Sequence, residues 1–152
     1  MSALRTFWSL PLRAQLDAVE LVALAAVVEL GVRHAPLPRL AALLRLDLVA
    51  GRPADAANGA GRAALAFTPR ERDRLELAAR ILRTRYFDGS CLRAALVGGH
   101  VLRAHRPQLA IGVAKRGGAV AAHAWLVVDG TSLDPSADEE FLVLGAPTSP
   151  RP

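Results

Sequence analysis

The chain has 152 residues, a single cysteine, Cys91, and four histidines. Behind Cys91 the residues Leu92, Ala95, Leu96, Gly99 and Leu102 recur at helical spacing, and Ser90 stands where a helix cap would. A cysteine opening a helix has backbone amides and the helix dipole in reach. Both favour a thiolate, and the same amides can receive an oxyanion. The competing reading is a small, buried, inert cysteine. A thiol nucleophile also needs a base, and the base needs a group that orients it. His123 lies in Ala121-Ala122-His123-Ala124-Trp125, within an apolar run of strand character, where a histidine can equally be structural. Asp129-Gly130 is a strong two-residue hairpin signal. With that turn, Val128 pairs with Thr131, Val127 with Ser132, Leu126 with Leu133 and Trp125 with Asp134. His123, Trp125 and Asp134 then share one face, and Asp134 is a diagonal neighbour of His123, within about 7 Å between backbone positions. Asp129 would lie roughly 20 Å along the strand and is a turn residue. The expected catalytic set is therefore Cys91 as nucleophile, His123 as base and Asp134 as its orienter.

These residues have to be positioned by the elements around them. Pro11 to about Val32 reads as a helix with Leu12, Leu16, Val19, Ala23, Ala26, Val27 and Leu30 as its apolar stripe, ended by His34-Ala35-Pro36-Leu37-Pro38. A second helix is expected from Arg39 to about Leu48, followed by a Gly-, Ala- and Pro-rich loop or linker over 49–67. Thr68-Pro69-Arg70-Glu71 combines a cap, proline in the first turn and the reciprocal glutamate. The stripe behind it is Leu75, Ala78, Ala79, Leu82 and Tyr86. Asp88-Gly89-Ser90 breaks this helix, and the cysteine helix runs to about Arg103 with Gly98-Gly99 allowing close packing. Strands follow at 109–113 and 120–128 around a turn at 115–118, with a further strand at 141–144. Helices first and an antiparallel sheet after them make an α+β domain. The expected organisation is an N-terminal helical region (1–48), the linker, a catalytic core (68–144) and a disordered tail (145–152), all in one compact domain.

Composition narrows the function classes. The chain is 52% hydrophobic, but its most apolar stretch, Leu21 to Leu30, is short and bracketed by Glu20 and Glu29, so no membrane span is expected. The N-terminus shows no secretory signal, and one cysteine makes no internal disulfide; both suit the cytoplasm. The net charge is +5, and about half of it sits in residues 69–85, with six Arg against three acids. That segment carries no interleaved aromatics, so nucleic acid is not expected as a partner. It reads as a solvated helix face, or as a surface for an acidic patch on a partner. His100 and His105 lie five apart and no second cysteine exists, so no metal site is expected. The glycines form neither a Walker loop nor a dinucleotide fingerprint.

Ser90-Cys91-Leu92-Arg93, then Ile111-Gly112-Val113, then Ala122-His123-Ala124-Trp125-Leu126-Val127-Val128-Asp129-Gly130 resemble the transglutaminase-like (papain-like) peptidases of lasso-peptide biosynthesis, the B proteins. The resemblance covers roughly residues 75–144, with a weaker likeness in the N-terminal helices. It implies that Cys91, His123 and Asp134 are the triad and that no cofactor is bound. It also implies a substrate, the precursor peptide, whose leader is removed. Some B proteins carry a leader-recognition domain ahead of the peptidase, and none is expected here before the first helix. The resemblance thus implies the peptidase half of a split system, with a separate leader-recognition protein as partner and an ATP-dependent lactam synthetase receiving the freed core.

Three functions stand open on the residues and the resemblance taken together. The first is leader cleavage through a Cys91 thioester. The second is transglutaminase-like acyl transfer to Gln side chains by the same thiol chemistry. The third is a non-catalytic peptide-binding scaffold that uses the Arg-rich helix.

Overall fold

The computed structural model describes residues 11–49, 67–84, 86–87, 90–134, 137 and 140–144. Most of the expected linker and the whole expected tail lie outside these residues. Among the described residues four α-helices precede the main hairpin: α1 (Leu12–His34), α2 (Leu37–Leu43), α3 (Pro69–Leu82) and α4 (Cys91–Val101). The strands are β1 (Asp47–Leu48), β2 (Gln108–Arg116), β3 (Ala119–Val128), β4 (Thr131–Ser132) and β5 (Leu142–Val143).

The α+β class is as expected, but the sheet is mixed rather than antiparallel. β1 runs parallel to β2, pairing Asp47 with Gln108 and Leu48 with Leu109. The second helix stops at Leu43, short of the expected Leu48, because Arg45 turns left-handed (φ 60°). The Arg45 amide donates to the Ala42 carbonyl and the Leu46 amide to that of Ala41. This is the double closure that ends many helices, usually with glycine at the left-handed position. Leu44 and Leu46 thereby enter the core, and the chain leaves along the sheet edge. β5 uses the same edge further along, pairing Gly112 with Val143 and Val113 with Leu142.

α1 also departs from expectation. The face it buries is Leu21, Leu24, Ala25 and Val28, while Leu12, Leu16, Val19, Ala23, Ala26, Val27 and Leu30 are exposed. Both faces are apolar, so periodicity alone does not select one; contact with α3 and α4 does. α3 begins at the expected capping box, in which the Glu71 amide donates to Thr68 Oγ1 and the Thr68 amide to the Glu71 carboxylate. It ends at Leu82, so Tyr86 lies beyond it and is exposed, as is Ala79. The excess arginines of this helix partly answer acids of the same chain. Arg74 bridges Asp17 (2.6 Å) and Glu20 (2.8 Å) of α1, and Arg70 also reaches Asp17 (3.1 Å).

The main core joins α1, α2, α3 and α4 to one face of the sheet through Leu109, Ala124, Leu126 and Val128. α4 lies close because a Cβ at Gly99 would run into Leu46 and Leu126, and one at Gly98 would meet Leu126 at 3.5 Å. The glycine pair has the packing role expected of it. The other face carries a smaller cluster of Ala110, Trp125, Val127 and Ala137, with Val49, Phe141 and Val143 packed on it.

Candidate active site

β2 and β3 pair without a break from Gln108–Val127 to Arg116–Ala119, turning at Gly117 (φ 56°) and Gly118 (φ 86°). β3 then turns into β4 at Asp129 (φ 49°) and Gly130 (φ 73°), both left-handed as a two-residue hairpin requires. Val128 faces Thr131 and Val127 faces Ser132, and the Leu133 amide donates to the Leu126 carbonyl. This is the register anticipated from the turn. Asp129 sits in the turn and is exposed, remote from His123 in the strand.

Two residues past β4, the Asp134 carboxylate meets the His123 ring, with Nε2 and Oδ2 2.9 Å apart. A carboxylate only accepts, so Nε2 is the atom that donates and carries the proton. The neutral imidazole then offers its lone pair at Nδ1. Asp134 is fixed from behind: its amide donates to Ser132 Oγ (3.3 Å), and Ser132 Oγ donates to its carbonyl (3.0 Å). The imidazole is held by two aromatic rings. Trp125 stacks on it with centroids 5.7 Å apart and planes 16° apart, and Phe141 lies at 5.2 Å and 35°. Gly112, opposite His123 on β2, makes room for both. A Cβ there would stand 2.7 Å from the Phe141 Cβ and 2.9 Å from the Trp125 ring.

Cys91 is the first residue of α4, directly after Ser90, and its thiol is free and partly buried. Ser90 occupies the cap position but makes no side-chain cap bond to the helix, contrary to the sequence expectation. Its Oγ accepts instead from Arg93 Nη1 (3.0 Å). Arg93 is in turn gripped by Glu29 of α1, Nε to Oε2 at 2.6 Å and Nη2 to Oε1 at 3.2 Å. A forked guanidinium suits this task, since two of its edges are used at once. The Glu29 carboxyl is held below its ordinary value, first by the Arg93 hydrogen bond and then by that of Arg33. Ser90's hydroxyl is therefore committed to Arg93, and the amides of the first turn are not spent on it.

The structure brings His123 and Asp134 together. It does not join Cys91 to them by a hydrogen bond among the described residues. Cys91 packs on the helical cluster, whereas the imidazole lies with Trp125 and Phe141 of the smaller one. Ser132, Phe141 and Glu29 escaped the sequence reading. Ser132 had a local signal, a serine two residues before the acid; Phe141 and Glu29 reach the site from distant segments and had none. Among the described residues no group of three or more His, Cys, Asp or Glu is placed to hold a metal ion, and no helix is long and apolar enough to cross a membrane.

Neither the curated proteins nor the solved structures include a match to the chain. A family model, that of the transglutaminase-like superfamily, matches residues 24–145. That span runs from the middle of α1 to the end of β5 and contains Cys91, His123 and Asp134. With most of its length so matched, and with an α+β domain in which a cysteine opens a helix and a histidine–aspartate pair sits on the adjoining hairpin, the chain belongs to the transglutaminase-like superfamily.

Proposed function

We propose that the protein is a cysteine peptidase that cleaves the leader from a lasso-peptide precursor, with Cys91, His123 and Asp134 as its triad. The observation that carries the reading is the His123–Asp134 hydrogen bond, which leaves Nδ1 as a proton acceptor on an oriented ring. The position of Cys91 at the start of α4, where first-turn amides are available, supports it.

In this reading Nδ1 takes the thiol proton, and the thiolate attacks the carbonyl of the leader–core bond. First-turn amides of α4 receive the oxyanion. The imidazolium gives its proton to the departing amine, so the core leaves with a free N-terminus while the leader remains as a Cys91 thioester. Water, deprotonated by His123, attacks the thioester and regenerates the thiol. Asp134 keeps the proton on Nε2 and stabilises the imidazolium. The residues require no cofactor. The lasso substrate, the separate recognition protein and the downstream lactam synthetase rest on the resemblance of the cysteine, Gly-Val and His-Ala-Trp segments.

Incubating precursor and recognition protein with the enzyme should release leader and core, and Cys91→Ala should abolish release. Undiminished cleavage by Cys91→Ala would remove the assignment. The superfamily match equally suits a second reading, acyl transfer to an amine. Incorporation of a labelled amine into a Gln-containing peptide without peptide-bond cleavage would establish that one instead.

A further inference from the structure

α1 is apolar on two opposite faces, and the fold covers one of them. On the uncovered face Leu12, Leu16, Val19, Ala23, Ala26 and Leu30 recur at alternating steps of four and three residues. Leu12 is 70% exposed, Leu16 61%, Val19 58% and Leu30 61%. At about 100° per residue this row lies nearly diametrically across the helix from Leu21, Leu24, Ala25 and Val28. A continuous exposed apolar row on a helix marks a surface that something covers. Alternating steps of four and three are the spacing by which one helix receives another. A lipid surface fits less well: helices lying on membranes border the apolar face with Lys and Arg. Here the borders hold Arg13, Gln15, Glu20 and Arg33, which mix both signs.

We propose that this face is a homodimer interface, in which α1 packs antiparallel on α1 of a second copy about a two-fold axis near Leu21. The argument is self-complementarity, which a two-fold interface demands. In the antiparallel register Leu12 meets Leu30 of the second copy, Leu16 meets Ala26, and Val19 meets Ala23. A large side chain thus faces a small one through the middle layers, where two crossing helices approach most closely. A parallel register instead stacks Ala23 on Ala23 and Ala26 on Ala26, leaving two adjacent layers underfilled. At the borders Val22 meets its symmetry mate, and Gln15 comes beside Glu29. Glu20 also faces its mate, with each carboxylate already held by Arg74 at 2.8 Å and kept below its ordinary value chiefly by that bond. The interface does not depend on the peptidase reading.

Light scattering after size exclusion, on the full chain over a concentration series, should give twice the chain mass. Leu16→Asp should weaken association by more than about tenfold, because a charge is then buried in the seam. Its helical circular dichroism and melting temperature at low concentration should match the wild type, since Leu16 is exposed in the single chain. Wild type that stays monomeric at the highest attainable concentration would overturn the proposal, as would a Leu16→Asp variant that dimerises as tightly as the wild type. Orientation is read by oxidation in a Cys91→Ser background. Mixed Val19→Cys and Ala23→Cys proteins should cross-link to each other in preference to themselves. Efficient self-linkage of Val19→Cys would mean a parallel pair and overturn the antiparallel interface. A monomer that binds anionic phosphatidylserine vesicles through this face would overturn it as well.

Discussion

The two faces of the sheet are built from different materials. On the helical face Leu109, Ala124, Leu126 and Val128 meet side chains from four helices, and the result is aliphatic throughout. On the other face Trp125, Val127 and Ala110 are covered by single residues of connecting segments, Val49, Ala137, Phe141 and Val143. The first face can supply most of the stability, and no polar or charged residue among the described ones is fully buried. The second is thin enough to keep a histidine–carboxylate pair partly in water, yet rigid enough to hold the ring between two aromatics. A pair sunk into the helical face would have to offset a much larger desolvation cost. The division puts the aliphatic core beneath the sheet and the His123–Asp134 pair on its far side.

The largest loss is expected on the helical face. Leu96 is fully buried in it, and Leu96→Ala should cost about 2–5 kcal/mol by chemical denaturation. The NMR signals of the His123 ring should barely move in the fraction that stays folded. Gly112→Ala acts on the other face. Its added methyl meets Phe141 and Trp125, so a loss of about 1–3 kcal/mol is expected, with displaced His123 resonances. Thr68→Ala touches neither face. It removes one half of the capping box and should cost about 1 kcal/mol with no change at His123.

The smallest expected effects are in the pH dependence. The His100 pKa is lowered from 6.5, chiefly by burial and then by the Arg103 charge, and its Nδ1 is buried without a hydrogen-bond partner. The unfolded chain therefore takes up this proton first, and stability should begin to fall as pH drops below 6.5. Glu20 and Glu71 are lowered from 4.5, by the Arg74 hydrogen bond and the Thr68 amide respectively. Their contributions are present above 4.5 and are lost as pH falls through the lower folded values. A denaturation series against pH should show both declines, and His100→Gln should remove only the first.

What could be read from the sequence was whatever local chemistry decides. Asp129-Gly130 dictates a hairpin because both residues accept left-handed angles, and from that turn the His123–Asp134 proximity follows by counting. The Thr68 capping box likewise announces its helix. The misreadings share a cause. α1 has two apolar faces, and only packing chooses between them. Arg45 ends α2 in a conformation that glycine usually signals, so the end at Leu43 and the parallel strand after it left no mark. Ser90 has the identity of a cap, but Arg93 and Glu29 claim its hydroxyl, and Glu29 comes from a helix more than sixty residues away. Each of these depends on a distant partner that periodicity does not contain.

Whether His123 serves Cys91 can be tested without knowing the substrate. The rate at which iodoacetamide alkylates Cys91, followed against pH, reports how readily the thiolate forms. If His123 does serve Cys91, His123→Ala should slow alkylation at neutral pH by about tenfold or more and Asp134→Asn should slow it less, with both variants folded by circular dichroism. Identical profiles for the wild type and His123→Ala would contradict that role.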